Sequence, residues 1–225
     1  MMSSILQAFE GEPKTVMVTD KGKTVITVEA SHLRPAVAQE ADEAAKLGAW
    51  LLFLAPLGIG YMIEEFNTLL GCMMAAGVVA KGPLSFCFRE TAREVAKVRF
   101  TETGIEMSWN GQWRTFDRHH THRFVLLEHD KTRAESDDID FQQRLGSVKG
   151  QAKPVTRYYS AAFIVAFEYF GQRFDIAEVM GRKEATAIVA RLALCDEMMN
   201  GIVNSKPTVV QKPEDEWQEL PGGLS

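Results

Sequence analysis

Cysteine is scarce in this sequence and follows no pattern. The three residues, Cys72, Cys87 and Cys195, are odd in number and far apart. Disulfide frameworks and zinc sites need paired or regularly spaced cysteines, so the sequence predicts neither. The three thiols instead fit small apolar side chains in a reducing compartment.

The sequence also lacks the short motifs that carry common chemistries. It contains no GxSxG, no GxxxxGK(S/T), no GxGxxG after a strand, no HExxH and no EF-hand loop. We therefore predict that the protein is not an enzyme and needs no cofactor and no metal. The net charge of −5 gives no reason to expect nucleic acid as a partner, because nucleic-acid-binding proteins present a basic surface to the phosphates.

Charge is absent from two successive stretches, residues 47–63 and 66–80, which flank the acidic pair Glu64-Glu65. Two apolar runs in tandem predict a transmembrane helical hairpin with the acidic pair at its turn. Glycines that allow helices to approach and aromatic side chains near the ends of a span fit this interpretation. The residues assigned to the membrane hairpin are Trp50, Pro56, Tyr61, Glu64, Glu65, Gly71 and Gly77.

Both runs are short for this role, because a bilayer core about 30 Å thick needs about 20 helical residues. Two alternatives stay open: a re-entrant or interfacial hairpin, and a helical hairpin buried inside the protein or in a subunit interface. The charged residues around the runs predict the orientation of the favoured structure, the transmembrane hairpin. Basic residues flank the outer ends of both runs, so the positive-inside rule predicts that both termini face the cytoplasm.

Alternation of apolar and polar residues predicts antiparallel β-structure on both sides of the hairpin. Residues 14–29 indicate a short β-hairpin within an N-terminal segment, 1–35. A helical lead and the membrane hairpin form the next predicted unit, residues 36–88. Several strands follow from residue 95, and Asn110-Gly111 is a strong signal for a tight turn between two of them.

The C-terminal half is predicted to form one cytoplasmic domain, residues 95–203, closed by an amphipathic helix over 183–202. A polar stretch, residues 130–157, interrupts it without strong periodicity and is typical of a functional or disordered loop. The last segment, 204–225, is rich in proline and acidic residues. It is predicted to be a disordered tail in which Trp217 anchors a partner.

Antiparallel strands with an Asn-Gly turn, closed by one C-terminal helix, resemble the pleckstrin-homology-like fold. Residues 104–111, 124–127 and 158–202 carry the resemblance. It implies an α+β fold in which an antiparallel β-barrel or curved sheet is closed by the final helix. Bacterial membrane proteins that join two helices to such a domain are similar in layout, which implies a bacterial inner-membrane location. Members of the family mostly bind proteins, peptides or lipid head groups.

One short segment, residues 117–123, concentrates the residue types used in catalysis and metal binding. Its three histidines could ligate a metal, but a strand places only two of them on one face, and the neighbouring arginines repel a cation. Two interpretations of the segment therefore stay open: a basic, partly titratable surface for a partner or for acidic head groups, and a solvated connection with no special role. The residues assigned to partner or lipid contact are Arg89, Arg93, Arg118, His120, His122, Arg123 and Trp217.

Three functions from different classes follow from these patterns. The first is a membrane-tethered module that binds a membrane or cytoplasmic protein at the inner membrane, as an assembly or accessory subunit. The lipid bilayer is then a second partner. An alternative is a membrane-bound enzyme that uses His120, His122 and His129. Another alternative is a soluble homo-oligomer that buries residues 47–80 in a subunit interface.

Overall fold

The computed structural model describes residues 2–6, 12–20, 22–59, 66–109, 111–148 and 156–205. These residues form nine strands and four helices, which is an α+β fold. The strands are β1 (Met2–Leu6), β2 (Lys14–Asp20), β3 (Lys23–His32), β4 (Glu94–Phe100), β5 (Gly104–Trp109), β6 (Gln112–Asp117), β7 (His122–Glu128), β8 (Ala162–Tyr169) and β9 (Gln172–Met180). The helices are α1 (Pro35–Ile59), α2 (Phe66–Thr91), α3 (Thr132–Val148) and α4 (Arg182–Ser205).

Strands β1 to β6 form one antiparallel sheet in which each strand pairs with the next along the chain. The hairpin predicted within residues 14–29 is present as β2 and β3, and its turn places Gly22 at a φ of 78°. Glycine adopts this conformation at little cost because it has no Cβ. β3 also pairs with β4, with Val28 opposite Val98. The N-terminal strands therefore share a sheet with the strands that follow the helical hairpin.

Strands β7, β8 and β9 form a second antiparallel sheet. Its central strand β8 has a nearly continuous run of buried residues, as expected for a strand covered on both faces. Strand β9 contains one extra residue at Ile176, because Ala166 pairs with Asp175 whereas Val165 pairs with Ala177. A bulge of this kind bends the strand and increases its twist.

Helix α4 closes the core between the two sheets and packs on β3, β7, β8 and β9. The helix predicted over 183–202 is therefore present. Its buried residues recur at helical spacing and are Ala185, Ile188, Leu192, Cys195 and Met199. Both sheets supply buried apolar side chains that pack with them, among them Ile26, Val98, Phe100, Ile105, Val165, Phe167 and Val179.

Helices α1 and α2 form an antiparallel hairpin between β3 and β4, called the arm below. Pro35 is the first helical residue of α1, where its missing N–H costs nothing and its fixed φ favours the helix. α2 continues through Pro83 as far as Thr91, although an interior proline removes one backbone hydrogen bond.

None of the described helices is both long enough and apolar enough to cross a membrane, so the predicted transmembrane hairpin is wrong. The helix bounds give the physical reason. In α1 only residues 47–59 follow the last charged residue, and they form about 20 Å of helix against a bilayer core of about 30 Å. The predicted bacterial inner-membrane location, with both termini in the cytoplasm, depended on that hairpin, so this prediction is wrong as well.

The predicted β-barrel is also wrong, because the described strands lie in two separate sheets that do not close on each other. The break falls between β6 and β7, which follow one another in the chain without pairing. The polar stretch 130–157, for which the sequence predicts a loop, contains helix α3. Its surface is polar almost all round, with Ile139 buried, so the apolar periodicity that normally reveals a helix is weak.

Candidate functional site

A charged cluster fastens the base of the arm. Asp42 on α1 accepts two hydrogen bonds from Arg89 on α2, from Nε to Oδ1 at 2.9 Å and from Nη2 to Oδ2 at 2.5 Å. Ser85 of α2 and the hydroxyl of Tyr158, which precedes β8, donate further hydrogen bonds to the same carboxylate. The two helices are therefore tied to each other and to the β-structure at this point.

These contacts set the charge of the cluster. Burial by itself would raise the pKa of Asp42, but the hydrogen bonds from Arg89, Ser85 and Tyr158 outweigh it and lower the pKa from 3.8 to about 2. Burial and the hydrogen bond to Asp42 raise the pKa of Tyr158 to about 12. At neutral pH the carboxylate is charged and the tyrosine is neutral, so the cluster supports the arm rather than exchanging protons.

The inner face of α1 is lined with small residues. Ala38, Ala41, Ala45 and Ala49 follow one another at intervals of three or four and are buried. A Cβ placed on Gly48 would lie 3.5 Å from Leu84 of α2, so the two helices are in van der Waals contact there. The distance between helix axes depends on the side chains at the contact. The arm therefore packs through short side chains and leaves larger apolar ones on its outside.

The outer face of α1 carries an exposed apolar stripe. Leu47, Trp50, Leu51 and Leu54 are 45–69% exposed. They follow the spacing i, i+3, i+4 and i+7, which places them on one side of the helix. This spacing normally marks the face that a helix packs against another element. Here, however, each of the four side chains keeps 45% or more of its surface exposed.

Helix α2 carries a second exposed stripe. Ala75, Val79, Gly82 and Phe86 follow the spacing i, i+4, i+7 and i+11, and Val79 and Phe86 are 71% and 70% exposed. The larger side chains of the two stripes together expose on the order of 800 Å² of apolar surface. These six side chains are called the arm surface below: Leu47, Trp50, Leu51, Leu54, Val79 and Phe86.

The residues that the sequence assigns to a membrane hairpin have several placements. Trp50 lies in the exposed stripe of α1. Pro56 lies in α1, and Gly71 and Gly77 lie in α2. The remaining members of that set, Tyr61, Glu64 and Glu65, lie outside the described residues, as does Trp217 with the predicted tail beyond residue 205.

Three of the basic residues assigned to partner or lipid contact form ion pairs within the chain. Arg89 belongs to the cluster at the base of the arm, and Arg93 pairs with Glu184 at 2.7 Å. Arg123 pairs with Glu168 at 2.5 Å on the exposed surface. A guanidinium that is already paired with a carboxylate has less charge to offer an anionic ligand. The structure therefore does not combine these residues into one basic surface.

Arg118 and His122 meet at Asp196 of α4. The Arg118 side chain is 3% exposed, its Nη2 lies 2.6 Å from Asp196 Oδ1, and its Nε donates to Asn200 at 2.9 Å. His122 Nε2 lies 3.2 Å from the other carboxylate oxygen of Asp196. The structure thus brings these two residues of segment 117–123 together, but on α4 rather than on an exposed surface.

The other histidines lie apart from this pair. His120 is exposed, with its ring 4.6 Å from that of Phe170. His129 is buried and lies 3.7 Å from Glu178. Strand β7 separates His122 from His129 by seven residues, which span about 24 Å. Among the described residues, no group of three or more histidine, cysteine, aspartate or glutamate side chains could hold a metal ion.

Sequence reasoning missed the cluster at the base of the arm and both exposed stripes. The signal for the cluster is present, because Asp42 shares the spacing of Ala38, Ala41 and Ala45 and so lies on the inner face of α1. No comparable signal exists for the stripes. An uninterrupted apolar run does not show which side of a helix faces outward.

Comparison of the chain with protein-family models, with curated proteins and with solved structures gives no match in any of the three. The class that the fold and the site define is a two-sheet α+β protein with a helical arm whose outer surface is apolar. The function is therefore argued from the site alone.

Proposed function

We propose that the protein is a non-catalytic assembly module that associates with a second copy of itself through the arm surface. The observation that carries this proposal is the pair of exposed apolar stripes on a helical hairpin that is fixed at its base. The four neighbouring side chains of the α1 stripe form an exposed apolar patch of the kind that marks an interaction site. Burial in a subunit interface is one of the alternatives that the apolar runs suggest.

The spacing of the stripes favours a helical partner. Residues at i, i+3, i+4 and i+7 form the ridge with which one helix packs against another. Each arm carries one such stripe on α1 and another on α2. Two arms placed side by side supply four helices, and a four-helix bundle covers the apolar face of each.

The size of the surface favours a second copy of this chain. A two-fold symmetric interface uses the same patch on both subunits. Each exposed side chain of the patch is therefore buried on one subunit and again, as its equivalent, on the other. The arm surface exposes on the order of 800 Å², which is about what each partner contributes to an interface of standard size. The resemblance to pleckstrin-homology-like domains remains a prediction, and the binding role that it implies agrees with this proposal.

The test measures self-association of the purified full chain by sedimentation equilibrium at about 1–100 μM. We expect a dimer whose dissociation constant rises at least tenfold in the variant Leu51→Lys, because a lysine in the middle of the stripe places an unpaired charge at the interface. The matched control is Leu145→Lys, which makes the same change at an exposed leucine of α3 outside the arm.

Each outcome of this experiment is decisive. Leu51 is exposed in the single chain, so the monomer should keep its circular dichroism spectrum and its melting temperature when Lys replaces it. A wild-type chain that stays monomeric at the highest concentration would overturn the proposal. Equal weakening by Leu51→Lys and Leu145→Lys would place the interface elsewhere and would also overturn it.

A further inference from the structure

A cleft of about 420 Å³ lies where the two sheets approach each other, and no residue of the arm surface lines it. Its volume falls in the range of ligand sites, about 300–1,000 Å³. The end of β3, the start of β4, the tip of the β5–β6 hairpin and the middle of β9 line it. The residues that matter below are His32, Arg34, Glu94, Val95, Asp175 and Glu178.

One wall of the cleft is the outer edge of β9. This strand pairs with β8 on one side, and the N–H of Met180 donates to the carbonyl oxygen of Leu33 on the other at 2.9 Å. Backbone groups alternate between the two sides of a strand, so the N–H and C=O of Glu178 face the same outer side as those of Met180. The cleft begins where the chain at Leu33 stops covering this edge.

The opposite wall contains a second strand edge. The pairing of β4 with β5 extends only to Val98 opposite Met107, so the earlier residues of β4 have no strand partner on this side within the described residues. The N–H of Thr101 donates to Gly104 on the β5 side. Alternation then places the N–H and C=O of Val95 on that same side, facing the cleft.

The side chains in the cleft are mainly hydrogen-bond acceptors. The carboxylates of Glu94 and Glu178 lie 3.5 Å and 3.7 Å from the guanidinium of Arg34, which they share. A third carboxylate, Asp175, pairs with Arg173 at 2.5 Å. Arg34 is thus the cationic partner of Glu94 and Glu178, and Arg173 is the partner of Asp175, which leaves an excess of one negative charge among these five side chains.

His32 adds a further acceptor. Its side chain is buried, with the residue 4% exposed, and its Nδ1 lies 3.3 Å from the carbonyl oxygen of Ala30. Nδ1 therefore carries the ring proton and Nε2 the lone pair. Burial lowers the pKa of His32, so the ring is neutral. His32 lines the cleft, where Nε2 can accept a hydrogen bond from a ligand.

We propose that the cleft binds an extended peptide segment of another protein, which carries a lysine or arginine and adds as a short strand between the edges of β4 and β9. The backbone of the segment pairs with the free peptide groups of Val95 and Glu178, a mode known as β-strand addition. Its cationic side chain donates to the carboxylates and to His32. This site is separate from the arm surface and does not depend on self-association.

The test is calorimetric titration of the full chain with three synthetic hexapeptides, blocked at both ends. The first is Thr-Val-Lys-Val-Thr-Val, the second has glutamate in place of lysine, and the third is the lysine peptide with alternate backbone nitrogens methylated. We expect binding of the first, and at least tenfold weaker binding of the other two. Cadaverine, a diamine with the charge but no backbone, should bind at least tenfold more weakly than the lysine peptide.

Variants of the chain test the contribution of the carboxylates to binding. Glu178→Gln and Glu94→Gln should each weaken binding of the lysine peptide severalfold, whereas the control Glu168→Gln, at a partly exposed carboxylate of β8 outside the cleft, should not. No binding of the lysine peptide at about 1 mM would overturn the proposal. Equal binding of the methylated peptide or of cadaverine would overturn the strand-pairing mode and show a simple amine site instead.

Discussion

Asp42 and Arg89 form a two-point ion pair across the two helices of the arm, with Nε–Oδ1 and Nη2–Oδ2 distances of 2.9 Å and 2.5 Å. Paired hydrogen bonds of this kind fix orientation as well as distance, because both planar groups must align. The pair lies next to Tyr158, which anchors it to the chain just before β8. The direction in which the arm leaves the sheets therefore depends on these two side chains.

Removing the charge of Asp42 should destabilise the protein. In Asp42→Asn the arginine stays partly buried without its counter-charge, which costs about 2–4 kcal/mol of the free energy of unfolding. Urea denaturation followed by circular dichroism measures this loss. The control Glu90→Gln removes an exposed partner of Arg93 and should change stability by less than about 0.5 kcal/mol. Equal effects of the two variants would contradict a special role for Asp42.

The same carboxylate should give the protein an acid-sensitive stability. The pKa of Asp42 is lowered in the folded protein from 3.8 to about 2, so its contribution is complete above pH 3.8 and is lost as the pH falls through about 2. The lost contribution is about 2 kcal/mol. Unfolding free energies measured between pH 5 and pH 2 should show this decline in the wild type. The decline should be shallower in Asp42→Asn, and parallel curves would contradict the assignment.

The hydroxyl of Tyr158 should act at the other end of the pH scale. Its pKa is raised from 10 to about 12, so its contribution is present below pH 10 and is lost as the pH rises through about 12. Tyr158→Phe removes one hydrogen bond to a charged group and should cost about 1–2 kcal/mol at neutral pH. Denaturation at neutral pH measures this cost. A variant as stable as the wild type would show that this hydrogen bond adds nothing.

A double-mutant cycle should reveal strong coupling between Arg118 and Asp196. Each single variant, Arg118→Met or Asp196→Asn, leaves an uncompensated polar group near the core and should cost about 3 kcal/mol. The double variant should cost less than the sum, with a coupling of about 1–3 kcal/mol. Nη1 of Arg118 has no hydrogen-bond partner among the described residues, so the network is not fully satisfied even in the wild type. Strict additivity would contradict this account.

Replacement of Phe170 in the turn between β8 and β9 should stabilise the protein. Phe170 has a φ of 51° next to Gly171 at 75°, a pair of left-handed residues that favours Asn-Gly. This conformation costs a bulky residue about 1–2 kcal/mol, and the Phe170 side chain is 64% exposed, so it buries little. Phe170→Asn should raise the free energy of unfolding by up to about 1 kcal/mol in denaturation. A loss of stability would mean that ring contacts with His120 outweigh the strain.

Local patterns predicted the regular elements well where one face of an element is buried. The alternation of Val16 and Val18 indicated the first hairpin, and the spacing of Ile188 and Leu192 indicated the last helix, because burial on one face imposes a period of two or 3.6 on the sequence. The same reasoning failed for α3. Among its described residues only Ile139 is buried, so the sequence of α3 shows almost no apolar periodicity.

The apolar runs show the limit of composition. A run of apolar residues specifies that a segment avoids water, but the charged residues that share a helix with it decide whether that helix can cross a bilayer. Here Asp42 and Arg89 lie on α1 and α2 themselves and pair with each other. The sequence shows both residues, and it does not show that they meet 47 positions apart.

The sequence by itself determined the alternating strands, the amphipathic final helix and the apolar character of the arm, because each depends on neighbours within a few positions. The tertiary structure decided which apolar side chains face outward, how Arg118, His122 and Asp196 combine, and where the edges of β4 and β9 leave a cleft. These features join residues far apart in the chain. They arise only when packing brings separate elements together, and no local pattern records which elements meet.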